Sequence, residues 1–379
     1  MRAKAVGEEV IIIGAGVIGL GIGWQLASKG HKVTILEREA EIAVARGGAS
    51  GAAAGMLAPT AEVRFEEERL LAFGQHSREL YPEFVAELQT ASDMDVDYRD
   101  FGTLVVGLDR DDVEALDHLL EYQHSLGLVA SRLSGDAARE LEPALSPNVH
   151  AAIHCPSDHQ VNPRRLARAM AEAFTRAGGI LRTSAPVKKL LVEGGIARGC
   201  LLQCGEQLTA DAILAAAGAW IRKLGGVEKK HLPRIRPVRG QMLSLEMMED
   251  APLCNMVVRA PDAYLVPRSD GSLVIGATME EMGFDTKLTA GGVFELLRGA
   301  WEAMPGVYDL SISELWTGFR PISLSNEPIL GPSPDIENLW FATGHGRNGI
   351  LLTPATAIHM SEAMHTGVIP EVLRPFLGR

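Results

Sequence analysis

Apolar positions follow three rhythms along the chain. In "EVIIIGAGVIGLGIGWQLASKGHKVTILERE" a continuous apolar run from Val10 to Ile13 predicts a strand buried on both faces. A glycine turn then opens a helix, which stops around Lys29, Gly30 and His31 before "KVTILE" resumes extended structure. From about Glu66 to Leu145 the pattern is charged and amphipathic, with helices in "RELYPEFVAELQT" and "DRDDVEALDHLLEYQHSLG" around a strand-like "FGTLVVGL". Asn162-Pro163 and Gly178-Gly179 bracket another helix, and "QLTADAILAAAGAW" reads as a strand delivering its end to a glycine turn. From Arg234 to about Leu310 alternation of period two prevails in "RGQMLSLE", "AYLVPRS" and "SLVIGATM", and Asp270-Gly271 predicts a hairpin turn. The end, "NLWFATGHGRNGILLTPATAIHMSEAMHTG", is strand, glycine turn and helix.

Elements of nucleotide-binding type therefore come in three pieces, separated by an α-rich and a β-rich insertion. This predicts an α/β protein: a discontinuous, Rossmann-like cofactor domain from residues 1–80, 150–228 and 312–379. Residues 81–149 and 229–311 form an α+β substrate domain on an antiparallel sheet. A length of 379 residues suits that division.

Composition narrows the function. Hydrophobic residues make up 46% and charged residues 22%, as in soluble globular proteins. The 48 acidic residues outnumber the 36 basic ones, and the longest basic run is "KK", so a nucleic acid partner is not expected. Cys155, Cys200, Cys204 and Cys254 fit neither a disulfide framework nor a zinc site, and are expected as buried thiols in a reducing cytoplasm. No histidine spacing suggests a metal. Met1 to Glu9 lacks a signal peptide's apolar segment, and runs such as Ala212 to Ile221 are too short to cross a bilayer, so no membrane association is expected.

"GAGVIG", Gly14 to Gly19, and "GHGRNG", Gly344 to Gly349, both fit G-x-G-x-x-G. The first has the full dinucleotide context: strand before, helix after, and Glu37 at the end of the next strand, placed for ribose hydroxyls. Gly14 makes the turn, Gly16 admits the pyrophosphate, Gly19 permits close helix packing, and Ala15 lies within the loop. The second motif has no following strand with an acid. It is either a plain helix start or a positive helix end placed to stabilise negative charge on the same cofactor. The stretch "GGASGAAAGMLAP" is small and apolar, suited to backbone approaching a ligand closely.

Taken in order, "VIIIGAGVIGLGIGWQLA", "GGASGAAAGMLAP", "PVRGQML", "AYLVPR", "GATM", "GFRP" with "PILG", and "GHGRNGILLTPAT" resemble the D-amino acid oxidase superfamily, most closely the glycine oxidases of thiamine biosynthesis. The resemblance implies one FAD, with its pyrophosphate at the first glycine turn and its ring at the second. Val17, Ile18, Glu37, Arg38, Ala49, Ser50, Ala54, Gly55, Met56 and Val187 match its contact positions, with Gly218 at the intervening turn. His345, Gly346, Arg347, Asn348, Gly349, Ile350 and Leu351 match the segment beneath the flavin. No cysteine lies in "GFRPISLSNEPILG", so the FAD is expected to be non-covalent.

The same resemblance implies that Arg320 grips a substrate carboxylate with Tyr264 as its hydroxyl partner, while Arg347 and Met279 lie nearby. A planar guanidinium suits bidentate carboxylate binding; without the family, Arg320 reads as an ion-paired arginine and Tyr264 as a half-buried strand tyrosine. Asp262 departs from relatives that carry histidine there. The implied reaction is oxidative deamination of glycine, sarcosine or small D-amino acids by hydride transfer to flavin N5. Dioxygen becomes hydrogen peroxide, and the imine yields glyoxylate and ammonia or enters thiazole synthesis. A dehydrogenase or D-amino acid or sarcosine oxidase of the same fold, and a flavin-binding subunit without turnover, are the alternatives. The family also implies a homotetramer.

Overall fold

A computed structural model describes residues 9–44, 46–248 and 250–378. The opening strand Glu9–Ile13 lies inside a six-stranded sheet, parallel to Lys32–Leu36 on one side and to Ala212–Ala215 on the other. Ile180–Arg182 continues the sheet beyond Lys32–Leu36, and Leu339–Thr343 follows Ala212–Ala215, both parallel. An antiparallel edge strand, Ile329–Pro332, completes it. Val10, Ile11, Ile12 and Ile13 are all buried, as their unbroken apolar run predicts.

Three helices, Val17–Ser28, Pro163–Arg176 and Thr353–Thr366, share a core with one face of this sheet. Gly21 and Gly23 permit the closeness: a Cβ on the first would lie 3.0 Å from the Ala357 Cβ, and on the second 2.6 Å from the Ile35 Cδ1. The Asn162 side chain accepts from the Arg164 and Arg165 amides with Pro163 in the first turn, so the predicted helix start is present. The opposite face is covered by a small antiparallel sheet of Val187–Glu193, Ile196–Leu202 and Gln207–Thr209. "QLTADAILA" is thus two strands in different sheets, parted where Glu9 donates its amide to the Asp211 carboxylate.

A nine-stranded, largely antiparallel sheet forms the second half of the α/β architecture. Next to its short edge strand Arg46–Gly47, the long strands Ser311–Ser323 and Ile235–Glu246 pair over nearly their whole length. The hairpin of Tyr264–Pro267 and Ser272–Gly276 turns at Asp270-Gly271 as expected, with Gly271 at φ +79°. Ala151–Cys155 also belongs to this sheet. The helix Glu68–Ser92 packs instead into the core of the opening helix, through Leu70, Phe73, Phe84 and Leu88. Cys155, Cys200 and Cys254 are buried thiols, but Cys204 is exposed, in the turn between two strands of the small sheet. Among the described residues no helix is long and apolar enough to cross a membrane.

Candidate active site

Two cavities meet at Ala49 and Ser50, which line both. The first, of about 380 Å³, runs along the carboxyl ends of the parallel strands. Gly14, Ala15 and Gly16 form one wall, with Glu37, Arg38, Val187 and Gly218 around them. Gly14 holds φ +107°, and a Cβ there would sit 2.7 Å from the Ala216 carbonyl oxygen. At Gly19 a Cβ would meet the Gly14 oxygen at 2.0 Å, so the helix can leave the turn only without a side chain. Glu37 accepts the Ala15 amide at 2.8 Å and the Glu39 amide at 3.0 Å, which fixes its carboxylate beside the turn. The Ser50 hydroxyl accepts the Val17 amide at 3.0 Å, tying the small apolar loop to the helix start. Arg38 lies over the Trp220 ring, 3.7 Å from its centroid. Ile18 packs against the helical core beneath the turn.

The second cavity, of about 240 Å³, lies against the larger sheet, through Gly240, Met242, Tyr264, Gly276 and Arg320. The small apolar loop supplies Ala54, Gly55 and Met56, and the second glycine motif supplies Gly346, Arg347, Gly349 and Ile350. That motif is not itself a helix start. Gly346–Asn348 makes a tight helical turn, and the closing helix begins only at Thr353, where Pro354 occupies its first turn. His345 and Leu351 are buried behind this turn, and Asn348 and Leu351 line a small neighbouring cleft with Glu67. The His345 Nε2 lies 3.3 Å from the Thr356 hydroxyl, and burial pushes its pKa down to about 3.

Arg320 and Tyr264 come together in this cavity from strands far apart in sequence, and two glycines make room for them. A Cβ at Gly240 would lie 2.6 Å from the Arg320 Nη1, and one at Gly276 would lie 2.5 Å from the Tyr264 hydroxyl oxygen. Nη1 donates to the Thr278 carbonyl at 3.0 Å, and no described carboxylate pairs with this guanidinium. Burial raises the Tyr264 pKa and the adjacent Arg320 charge opposes that rise, leaving a protonated phenol able to donate at neutral pH. A cation held ready without an anion is a binding site for one.

Arg347 lines the same cavity but is bound to Glu67, with Nη2 2.5 Å from Oε2, which supplies the anion its position requires. Met279 is 57% exposed at the rim. Asp262 also lines the rim, where Arg298 lies 3.2 Å from its carboxylate. Sequence reasoning missed Glu62, Arg64 and Arg259, which stand on the same wall, and Glu62 and Arg259 form an ion pair. It also missed Arg268, buried beneath the small loop, which donates to the Ala54 and Val161 carbonyls. The signal the sequence offers is "EVR", Glu62 to Arg64, two residues after the small apolar stretch.

The residues fit an extended dinucleotide. Side-chain-free turns sit at the helix start, a fixed carboxylate stands one strand away, and a second cavity continues from the first through Ala49 and Ser50. A model of the FAD dependent oxidoreductase family matches residues 9–363. The chain belongs to this family. Its cofactor is FAD, and its architecture is the Rossmann-like cofactor fold with an α+β substrate half.

A bifunctional protein ThiO/ThiG of Trichormus variabilis is 36% identical over 361 residues, covering 92% of this chain and 51% of the relative. The chain thus spans about half the length of such bifunctional relatives. A glycine oxidase of Geobacillus kaustophilus is 32% identical over 371 residues, 97% of this chain and 96% of that protein. The crystal structure of glycine oxidase from Bacillus cereus matches with a TM-score of 0.89 at 28% identity, covering 98% of this chain and 99% of the other. As a member of this FAD dependent oxidoreductase family, the chain is an enzyme.

Proposed function

We propose that this oxidoreductase converts glycine and other small amines, including sarcosine and small D-amino acids, to the imine, with dioxygen as final acceptor and hydrogen peroxide as co-product. The observation that carries the reading is the pairing of Arg320, free of any described carboxylate, with Tyr264 in a cavity that continues to the dinucleotide turn. Arg320 holds the substrate carboxylate through charge-assisted hydrogen bonds and the Tyr264 hydroxyl donates a further one, fixing the orientation of the Cα–H bond. Gly14, Ala15, Gly16, Glu37 and Arg38 hold the nucleotide end of FAD. Ala49, Ser50, Ala54, Gly55, Met56 and the Gly346 to Ile350 turn hold its other end. When bound, FAD accepts two electrons from the substrate and returns them to dioxygen.

Met56, Met242 and Ile350 give the charged clamp apolar neighbours. The substrate ammonium must first release its proton, since the nitrogen lone pair drives imine formation. The product hydrolyses to glyoxylate and ammonia or is captured for the thiazole of thiamine, a placement supported by the ThiO/ThiG relatives. No cysteine lines either cavity among the described residues, which supports non-covalent FAD. Segments 1–80, 150–228 and 312–379 carry the cofactor, and 81–149 with 229–311 the substrate side. The chain leaves the larger sheet after Ala151–Cys155 and again after Ser311–Ser323.

Anaerobic mixing of the yellow protein with glycine, sarcosine, D-alanine and D-proline, followed by air, tests this reading. Glycine bleaches the flavin, and air restores it with one peroxide per turnover. Bleaching reversed only by a quinone identifies a dehydrogenase, and colour unchanged by every amine identifies a subunit without turnover.

A further inference from the structure

The charged groups of the second cavity leave two cations over once their internal pairs are matched. Arg347 is taken by Glu67, Arg259 by Glu62, and the acid at the rim, Asp262, by Arg298. One remaining cation is Arg320. The other is Arg64, which lines the open side of the cavity and whose guanidinium has no hydrogen-bond or ion-pair partner among the described residues.

Arg64 is more than an exposed surface arginine, because its backbone is fixed. The Tyr122 hydroxyl donates to the Arg64 carbonyl at 3.3 Å, and the Tyr122 ring stacks on Phe65 with centroids 4.0 Å apart. Partial burial and the like charge of Arg347 hold the Arg64 guanidinium below its ordinary pKa, and Glu67 and Glu62 oppose that shift. A tethered, partly desolvated and unpaired cation gains most from an anion brought by the ligand. Small monocarboxylic amines satisfy one cation and leave this one unmatched.

We propose that Arg64 is a specificity-determining residue that receives a second carboxylate, so that the substrates include short amino acids with two acid groups. Arg320 and Tyr264 take the first carboxylate and Arg64 the second. N-(carboxymethyl)glycine and D-aspartate are members of the class. The assignment deepens the amine-oxidase reading and rests on it for the role of Arg320.

The test uses the FAD-loaded enzyme and unreactive ligands, so that it reads Arg64 independently of turnover. Malonate, succinate, glutarate and acetate are titrated against the visible flavin spectrum in wild type, Arg64→Ala and Arg64→Lys. At least one dicarboxylate binds wild type about tenfold more tightly than acetate, Arg64→Ala removes that preference, and Arg64→Lys keeps part of it. In turnover, the ratio of kcat/KM for N-(carboxymethyl)glycine to that for glycine falls about tenfold in Arg64→Ala, through KM. A wild type without dicarboxylate preference overturns the assignment, as does a preference that survives in Arg64→Ala. An enzyme that binds dicarboxylates through Arg64 but is bleached by no amine overturns the amine-oxidase reading instead.

Discussion

The guanidinium of Arg347 is locked to the carboxylate of Glu67, with Nη2 2.5 Å from Oε2 and Nη1 3.3 Å from Oε1. Both side chains are largely enclosed, and Nη2 also donates to the Glu62 carbonyl. The pair holds the second glycine turn against the wall that carries Glu62 and Arg64. Glu67→Gln leaves an uncompensated, largely buried cation, and the expected loss is about 3 kcal/mol, read by chemical denaturation of the FAD-loaded protein. Unchanged stability would show that the turn is held by other contacts.

The first glycine turn was legible because its three glycines and the Glu37 carboxylate that accepts the Ala15 amide lie in one contiguous segment, at spacings set by strand and helix geometry. The start of the closing helix was not. A G-x-G-x-x-G pattern suggests a helix at its glycines, but Gly346–Asn348 closes a tighter turn and the helix waits for Thr353-Pro354. Arg320 and Tyr264 were found only by resemblance. Their meeting depends on the register of the larger sheet, which sets Arg320 opposite Val238 and Tyr264 opposite Gly276. Arg268 was missed for the same reason: its carbonyl partner Ala54 is 214 residues away. Long-range pairing of this kind leaves no local pattern to read.

Replacing Arg320 separates substrate binding from cofactor binding. A charge-assisted hydrogen bond contributes about 1.5–3 kcal/mol, so Arg320→Ala raises KM for glycine roughly tenfold or more. Arg320→Lys recovers part of the loss, because an ammonium keeps the charge without the bidentate fork. The ratio of flavin to protein stays at the wild-type value in both variants. Loss of flavin from Arg320→Ala would assign this residue to the cofactor instead.

Steric demands differ sharply among the glycines, which provides a paired test of the cofactor turn. A Cβ at Gly19 would lie 2.0 Å from the Gly14 oxygen, whereas one at Gly291, in the helix Ala290–Ala303, meets nothing within 4 Å. Gly19→Ala is expected to purify colourless and to take up little FAD on reconstitution. Gly291→Ala is expected to stay yellow and to gain about 0.5–1 kcal/mol from helix propensity. Full flavin content in Gly19→Ala would mean that the turn relaxes without losing its ligand.

His345 makes stability depend on pH in a definite direction. It is 3% exposed, and burial alone pushes its pKa down to about 3. An unfolded histidine titrates near about 6.5. Between these values the unfolded chain binds a proton that the folded chain does not, so stability rises with pH from about 3 to about 6.5 and is level above. At pH 5 the deficit from this group is about 2 kcal/mol, since each pH unit below the unfolded value costs about 1.4 kcal/mol. His345→Gln cannot titrate, so its stability should fall less than wild type's between pH 7.5 and pH 5, by about that amount. The slope does not vanish, because burial also lowers His154, His159 and His359. Denaturant titrations of both proteins at the two pH values measure the difference, and parallel losses would show that His345 is protonated in the folded state.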